Sequence, residues 1–522
     1  MLKLLIAVAC VLFSIVGASG QDWRARFNTL IKTPPGLERD SLIARIDSDE
    51  PDWRQVMTEI GSLTFPDTIK GQTLSGSTTC LDSISRPYAI FVPSGYNPRT
   101  PTPMLVHLHG VVGRPIIEPD PKEYVGNTAI MALAEERGWL VLFPFGQKGA
   151  TWFDEVGMTN IMTLVRAAKI DFNIDDNRVY LSGLSDGASA AFLFAMIMPT
   201  DFAAFVALNG SMGVGSEDGG FSTYATNMAN TYIYATTADR DRYYPTSQME
   251  RTIAMAEKAG ARILYHKLKG EHISSIVQVE YPAIFDYLEQ HPRNSFPDRV
   301  VWETDLAKFG ACKWLAIDEI TIDEPADWYI DYNVALVDSV ITIGFQPDNT
   351  FPGPGVMVAS ISDGDYVARQ IGLKPADIII KGNGIPIDSL AHLDKFKATL
   401  KRGSEVTLTV IRDGNEVVLR GRIPAPRNYF IFKRDKPSAV AKAVYAKNRF
   451  DIRGSRVGAF RILISPDMVD LNKNVVVTFN GERIFDDRIA PDIAFMLRDY
   501  LTNRDRKSVF VNEVRLRPPT SP

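Results

Sequence analysis

Apolar positions change period along this chain, and the changes divide it. From Trp23 to Ile60 they recur at helical spacing (Trp23, Phe27, Leu30, Ile31; Leu42, Ile43, Ile46; Trp53, Val56, Met57, Ile60), with breaks at Pro34-Pro35-Gly36 and Pro51. This spacing predicts a small helical lead-in over residues 21–65. From about Arg86 short apolar runs predict strands at Tyr88–Val92, Met104–Leu108, Trp139–Phe143, Val179–Ser182, Phe205–Leu208, Tyr232–Ala235 and Ile263–Leu268. Between them, helical spacing covers Asn127–Arg137, Asn160–Asp171, Ala188–Met198, Ser247–Ala259 and Ile276–Gln290. Alternating strands and helices predict an α/β fold over residues 66–297, a mostly parallel sheet with helices on both faces. The series stops at the breaker cluster His291-Pro292-Arg293-Asn294.

After Pro297 the helical period nearly vanishes and β-rich runs take over, so an all-β region is expected to follow. Within it, residues 340–425 read as a separate unit. The flanks, 298–339 and 436–517, are each too small for a comfortable core and are expected to combine into one β-sandwich-like domain around that insert. The sharpest local signal is Val475-Val476-Val477-Thr478-Phe479-Asn480-Gly481-Glu482-Arg483-Ile484-Phe485, where Asn-Gly between two β-rich runs calls for a two-residue hairpin turn.

Composition changes this picture little. A net charge of −5 over 522 residues leaves no basic footprint for nucleic acid. The N-terminus does add something: Lys3, the apolar run Leu4–Val16 and the small residues Ala18-Ser19-Gly20 read as an export signal over 1–20, with the mature chain beginning near Gln21. The run falls short of the ~20 residues that span a bilayer, so no membrane span is expected in the mature chain. A secreted or periplasmic location follows, with periplasm, cell surface and medium all open. In such a compartment Cys80 and Cys312 are permitted to pair, and two separate buried thiols are an equal expectation. The six histidines (His107, His109, His266, His272, His291, His392) show no zinc-ligand spacing, so no metal is expected.

The chemistry sits in the α/β stretch. Cleaving an ester or amide with serine needs a nucleophile, a base, a group to orient that base, and donors for the oxyanion. Gly183-Leu184-Ser185-Asp186-Gly187 lies between a strand-forming and a helix-forming run, the setting in which a serine is presented on a sharp turn and flanking side chains would clash. His272, in the loop after Ile263–Leu268, fits the base, while His266 and His291 read as structural. In the loop Ala238–Pro245, Asp241 is preferred over Asp239 as the acid. One oxyanion donor is expected from the Asp186 N–H. The other should come from Val111 or Gly110 in His109-Gly110-Val111-Val112-Gly113. Such a mechanism needs no cofactor.

These motifs, with Pro103–Gly110 and Asn177–Gly187, resemble the bacterial secreted esterases of the polyhydroxybutyrate depolymerase and feruloyl or acetylxylan esterase kind, over about residues 84–291. The resemblance implies an α/β-hydrolase fold and ester hydrolysis of a small-molecule or polymer ester through an acyl-enzyme. The chain departs from the family pattern at Asp186 and Val111. Residues 340–425 resemble a PDZ domain through Ile343-Gly344-Phe345, Gly355–Val358, Ile371–Ile379, Asn383-Gly384 and Val406–Gly414. Backbone N–H groups at Gly344 and Phe345 would then receive a peptide C-terminus, or the unit serves as a spacer. A peptidase on the same fold, or an inactive PDZ-containing scaffold, are the competing expectations.

Overall fold

The computed structural model of the chain describes residues 23–115, 125, 128–337, 341–348, 350–362, 366–426 and 428–519. The expected export signal, 1–20, and Asn127, where one predicted helix begins, lie outside the described residues.

Eight strands form the first sheet: β1 (Gln72–Thr79), β2 (Ser85–Val92), β3 (Thr102–Leu108), β4 (Leu140–Pro144), β5 (Ile174–Leu184), β6 (Ala204–Leu208), β7 (Tyr232–Ala238) and β8 (Arg262–Leu268). Their order is β1-β2-β4-β3-β5-β6-β7-β8. From β4 to β8 every pairing is parallel, whereas β2 meets β4, and β1 meets β2, antiparallel. Central strands buried on both faces read as unbroken apolar runs, as β4 and β6 do, and β3 is buried along its whole length with His107 among its apolar residues. Helices Thr128–Arg137, Glu155–Asp171, Asp186–Ile197, Thr246–Lys258 and Tyr281–Glu289 connect or follow the strands. This is the α/β-hydrolase arrangement. The run predicted as one helix over Ile276–Gln290 is instead a 3-10 turn at Ser274–Gln278 and a separate helix with Pro282 in its first turn, where a missing N–H costs nothing.

Beyond Pro297 come β9 (Arg299–Thr304), β10 (Ala311–Cys312) and β11 (Leu315–Ile320), and then β12 (Val334–Val337) leads into a compact unit spanning Ala335–Phe430. That unit holds β13 (Phe345–Pro347), β14 (Val356–Ile361), β15 (Ile378–Gly382), β16 (Ile385–Pro386), β17 (Glu405–Arg412) and β18 (Asn415–Arg422). They make one sheet, β13-β14-β15-β17-β18, with β16 added to β15 and a helix at Leu390–Thr399. Its own core includes Ile343, Val358, Ile379, Phe396, Leu408 and Val410.

The chain leaves through β19 (Asn428–Ile431) and adds β20 (Ala439–Ala446), β21 (Arg449–Ser455), β22 (Val457–Ile464), β23 (Val475–Phe479), β24 (Glu482–Asp487) and β25 (Asn512–Leu516). These join the earlier strands in a four-stranded sheet, β10-β11-β22-β25, and a five-stranded sheet, β24-β23-β21-β20-β9. Asn480 and Gly481, at φ 50° and 90°, make the turn between β23 and β24. Residues 300–317 and 439–514 share a single apolar core, and Trp23, Phe27, Leu30, Ile43, Ile46, Val56 and Ile60 of the N-terminal helices are part of it. Tyr329 and Arg434, before and after the inserted unit, both donate to the buried carboxylate of Glu303 in β9. Cys80 and Cys312 are both buried and unpaired, the second of the two open expectations.

Candidate active site

Ser185 stands between β5 and the helix Asp186–Ile197, with φ at 57°, a left-handed conformation that a serine rarely adopts without being held there. The flanking glycines hold it by close approach. A Cβ on Gly183 would lie 2.1 Å from the carbonyl carbon of Gly187, and one on Gly187 would lie 2.1 Å from the carbonyl oxygen of Leu108 in β3. The turn therefore packs backbone against backbone, and the serine side chain is left half-exposed at the C-terminal edge of the sheet.

Three parallel strands deliver the remaining groups to that edge. The Ser185 hydroxyl Oγ lies 2.9 Å from His272 Nε2, and His272 Nδ1 lies 2.6 Å from Asp241 Oδ2. Asp241 Oδ1 accepts from the N–H groups of Tyr243 and Tyr244 at 2.8 and 2.9 Å, so both carboxylate oxygens are engaged and the side chain has one orientation. The rings of Tyr243 and Tyr244 meet the imidazole edge-on, with centroids 5.2 and 5.5 Å away. Residues Ser185, Asp241 and His272, chosen from three separate loops, are thus brought into one hydrogen-bonded line.

Asp239 does something else. It accepts from the Gly270 N–H at 2.8 Å and pairs with Lys269, tying the loop after β7 to the loop that carries His272. The Gly270 hydrogen bond, with Lys269, holds its carboxyl below the usual range. His266 stacks on Tyr234, and His291 lies against Tyr232 and Tyr287, away from this line.

The loop after β3 is held from both sides. Burial pushes the His109 imidazole down to about 4, so it is neutral. Its Nε2 accepts from the Gly146 N–H at 3.1 Å, which leaves Nδ1 to carry the proton and donate to the Gly110 carbonyl at 2.7 Å. A trans peptide points its N–H opposite to its C=O, so fixing the Gly110 carbonyl also fixes the Val111 N–H. Val111 has φ 59°, and on its far side the Val112 N–H donates to Asp186 Oδ2 at 3.0 Å. Among the described residues no hydrogen bond engages the N–H of Val111 or of Asp186. A Cβ on Gly110 would come within 3.0 Å of the Ser185 Cβ, which puts this loop directly beside the serine.

Two contributors escaped the sequence reading. Buried Asn209, at φ 53° just after β6, donates to the His272 carbonyl and to Ser275 Oγ, both at 2.8 Å, and so anchors the histidine loop. Tyr244 lies with its hydroxyl 3.5 Å from Asp186 Oδ1; burial, with Asp186 nearby, pushes that phenol well above its usual range. Asn-Gly after a strand was the one trace of Asn209 in the sequence, and it reads there as an ordinary turn.

Residues 86–228 match the family model described as "Esterase PHB depolymerase", and residues 339–420 match the PDZ domain model. The chain carries an esterase-family domain and a PDZ domain. Over 124 residues it is 30% identical to a bifunctional acetylxylan esterase/xylanase, XynS20E, of Neocallimastix patriciarum; the match takes in 23% of this chain and 17% of that protein, so the chain spans under a fifth of its relative's length. Solved structures similar to part of this chain include a thermostable esterase (21% identity, TM-score 0.36, 42% of this chain and 63% of that one). Another is FphF, a fluorophosphonate-binding serine hydrolase of Staphylococcus aureus (16% identity, TM-score 0.35, 42% and 99%). Among the described residues, no helix is long and apolar enough to cross a membrane.

Proposed function

We propose that this protein hydrolyses carboxylic esters through an acyl-enzyme, with Ser185 as nucleophile, His272 as general base and then acid, and Asp241 as the group that orients the imidazole. The observation that carries this reading is the unbroken line Asp241 Oδ2, His272 Nδ1, His272 Nε2, Ser185 Oγ, at 2.6 and 2.9 Å. With Asp241 accepting from Nδ1–H, Nε2 presents a lone pair to the serine hydroxyl. As Oγ attacks the ester carbonyl, its proton passes to Nε2 and the carbonyl oxygen gains charge. The N–H groups of Val111 and Asp186, which have no other partner among the described residues, receive that charge. Collapse of the intermediate breaks the C–O bond to the alcohol, which leaves with the proton from Nε2. Water, deprotonated by the same nitrogen, then releases the acid and restores Ser185.

Ester rather than peptide cleavage is favoured by the esterase family model over 86–228. The partners in this reading are an ester substrate and, at the PDZ domain, a peptide C-terminus received by the N–H groups of Gly344 and Phe345. Gly344 has φ 94° and touches Tyr366, where a Cβ would sit 2.1 Å from the tyrosine Cβ, and β13 is the edge strand of its sheet. Residues 1–20 are read as an export signal, which N-terminal sequencing of exported protein, beginning near Gln21, would test.

The decisive experiment is turnover of a p-nitrophenyl ester panel of short and long acyl chains by the protein and by Ser185→Ala. The reading expects robust hydrolysis that falls by about four to six orders of magnitude in the variant, with the fold retained by circular dichroism. No ester turnover by the folded protein, or hydrolysis undiminished in Ser185→Ala, would overturn it.

A further inference from the structure

The five-stranded sheet β24-β23-β21-β20-β9 has two unlike faces. Its inward face is apolar: Val300 and Trp302 of β9, Ala441 and Ala443 of β20, and Phe450 and Ile452 of β21 are buried in the shared core. Because side chains alternate along a strand, the residues between them point outward. There the strands carry Arg299, Lys442, Arg449, Asp451 and Arg453, and the face opens as a groove of about 710 Å³ with Trp328 on its wall.

The charges in this groove are not balanced. Arg449 spends itself on Asp451, its neighbour two residues along, at 2.8 Å, and Thr478 donates to the same carboxylate. The other three cations have no carboxylate: among the described residues, Arg299, Lys442 and Arg453 make no ion pair. Lys442 stands directly across from Arg453 in the β20/β21 register, and Arg299 lies diagonally, opposite Val444. Like charges at opposed cross-strand positions destabilise a sheet, so a fold would be expected to separate or neutralise them. Instead both are gathered onto one aromatic ring, with Lys442 Nζ 4.5 Å and the Arg453 guanidinium carbon 5.2 Å from the Trp328 centroid. Three uncompensated positive charges thus share one concave surface on a chain whose net charge is −5.

We propose that this groove binds an anionic polysaccharide, a chain bearing uronate carboxylates. The cations come from three adjacent strands spaced ~4.8 Å, with Arg299 set diagonally from the Lys442 and Arg453 pair, an extended array that suits charges repeated along a polymer more than a single phosphate. Trp328 on the wall adds an apolar face of the kind that recognises a sugar ring. Nucleic acid fits less well, since its charge density meets the long-range repulsion of an acidic protein. The proposal does not depend on the esterase reading, because binding here requires none of Ser185, His272 or Asp241.

The test is native affinity electrophoresis of the full chain through gels containing polygalacturonate, neutral xylan or duplex DNA, with titration calorimetry on short oligogalacturonates. The Ser185→Ala protein is run alongside, so that loss of hydrolysis and loss of binding are read separately. Retardation is expected in polygalacturonate alone, weakening with salt, and unchanged in Ser185→Ala. Lys442→Glu with Arg453→Glu, on an exposed face, should weaken binding about tenfold or more, and Trp328→Ala should weaken it with the charges intact. The proposal fails if polygalacturonate does not retard the protein, if xylan or DNA retards it equally, or if both variants bind as tightly as the parent while melting at the same temperature.

Discussion

Two polar networks lie inside the same compact unit, and they are built to opposite ends. One is the line Asp241, His272, Ser185 at the edge of the first sheet. The other lies where the start of β5 meets the chain after the C-terminal helix Ile493–Asn503. There the guanidinium of Arg293, its side chain 1% exposed, bonds Asp505, Asn177, the Thr200 carbonyl and Ser295. Lys169 pairs with Asp176 at 3.1 Å, and Arg506 reaches the same carboxylate at 3.3 Å. Burial alone would raise the Asp505 carboxyl, yet Arg293 and Lys169 hold it well below the carboxylate range. Among the described residues Lys313 makes no ion pair; burial, with Arg293 nearby, pulls its ammonium down to about 8. In the second network the carboxylates of Asp505 and Asp176 are already met, by Arg293, Lys169 and Arg506, and sealed from water. The first is open: among the described residues, two backbone donors beside Ser185 have no partner, and the serine's turn is held at positive φ. A network whose carboxylates are already paired holds elements in place, whereas one with unfilled donors is suited to receive a charge that exists only during reaction.

Breaking each network should therefore be read on a different instrument. The largest effect is expected from Asp241→Asn, which keeps the shape of the line but favours the wrong imidazole tautomer: ester turnover should fall by about four orders of magnitude with little change in melting temperature. Asp505→Ala should do the reverse. Leaving Arg293 buried without its carboxylate should cost about 3–5 kcal/mol in a denaturant titration, while the folded fraction keeps its activity per molecule.

A smaller effect sharpens the contrast, because Asp186 acts on the open network from beside it. Its carboxylate accepts the Val112 N–H and so braces the loop carrying Val111. Asp186→Ala should lower kcat by about ten- to a hundredfold with KM little moved, while Asp186→Asn, which still offers an amide oxygen to that N–H, should recover most of the loss. Equal losses in both variants would remove the bracing role.

The smallest effect is one of pH. Burial, with Asp505 and Glu513 nearby, pushes the Asp499 carboxyl up to about 7. The folded chain therefore keeps this proton over a range where the unfolded chain, titrating near 4, has lost it. Fewer protons bound in the unfolded state means that stability falls as pH rises from about 4 to 7. Because the Asp499 side chain is only half-buried, solvent screens much of that shift, and Asp499→Asn should match the parent at pH 4 and exceed it by about 1 kcal/mol at pH 8 in parallel melts.

Legibility differed by region. The central strands of the first sheet are apolar on both faces and were readable from their runs, to within a few residues at their ends. β1, Gln72–Thr79, was not: its sequence, Gln-Thr-Leu-Ser-Gly-Ser-Thr-Thr, is polar on both faces, and only pairing with β2 along its whole length makes it a strand. The outward face of β20 and β21 escaped for a related reason. Lys442 and Arg453 lie 11 residues apart and look like ordinary surface charges until the register sets them side by side.

What the sequence by itself determined is what local chemistry encodes. That includes the alternation of strands and helices, the Asn480-Gly481 turn, the glycines that let a serine be presented at a tight turn, and the PDZ-like run of motifs. Only the tertiary structure decided which distant groups meet. It placed His272 2.9 Å from Ser185, set Asn209 under the histidine loop and Asp186 against Val112, and gathered the N-terminal helices into the core of strands that follow nearly 240 residues later. The physical reason is one of range. Period and turn chemistry act between residues a few positions apart, whereas hydrogen-bond partners and charge neighbours are fixed by strand order and register, which the whole chain must settle together.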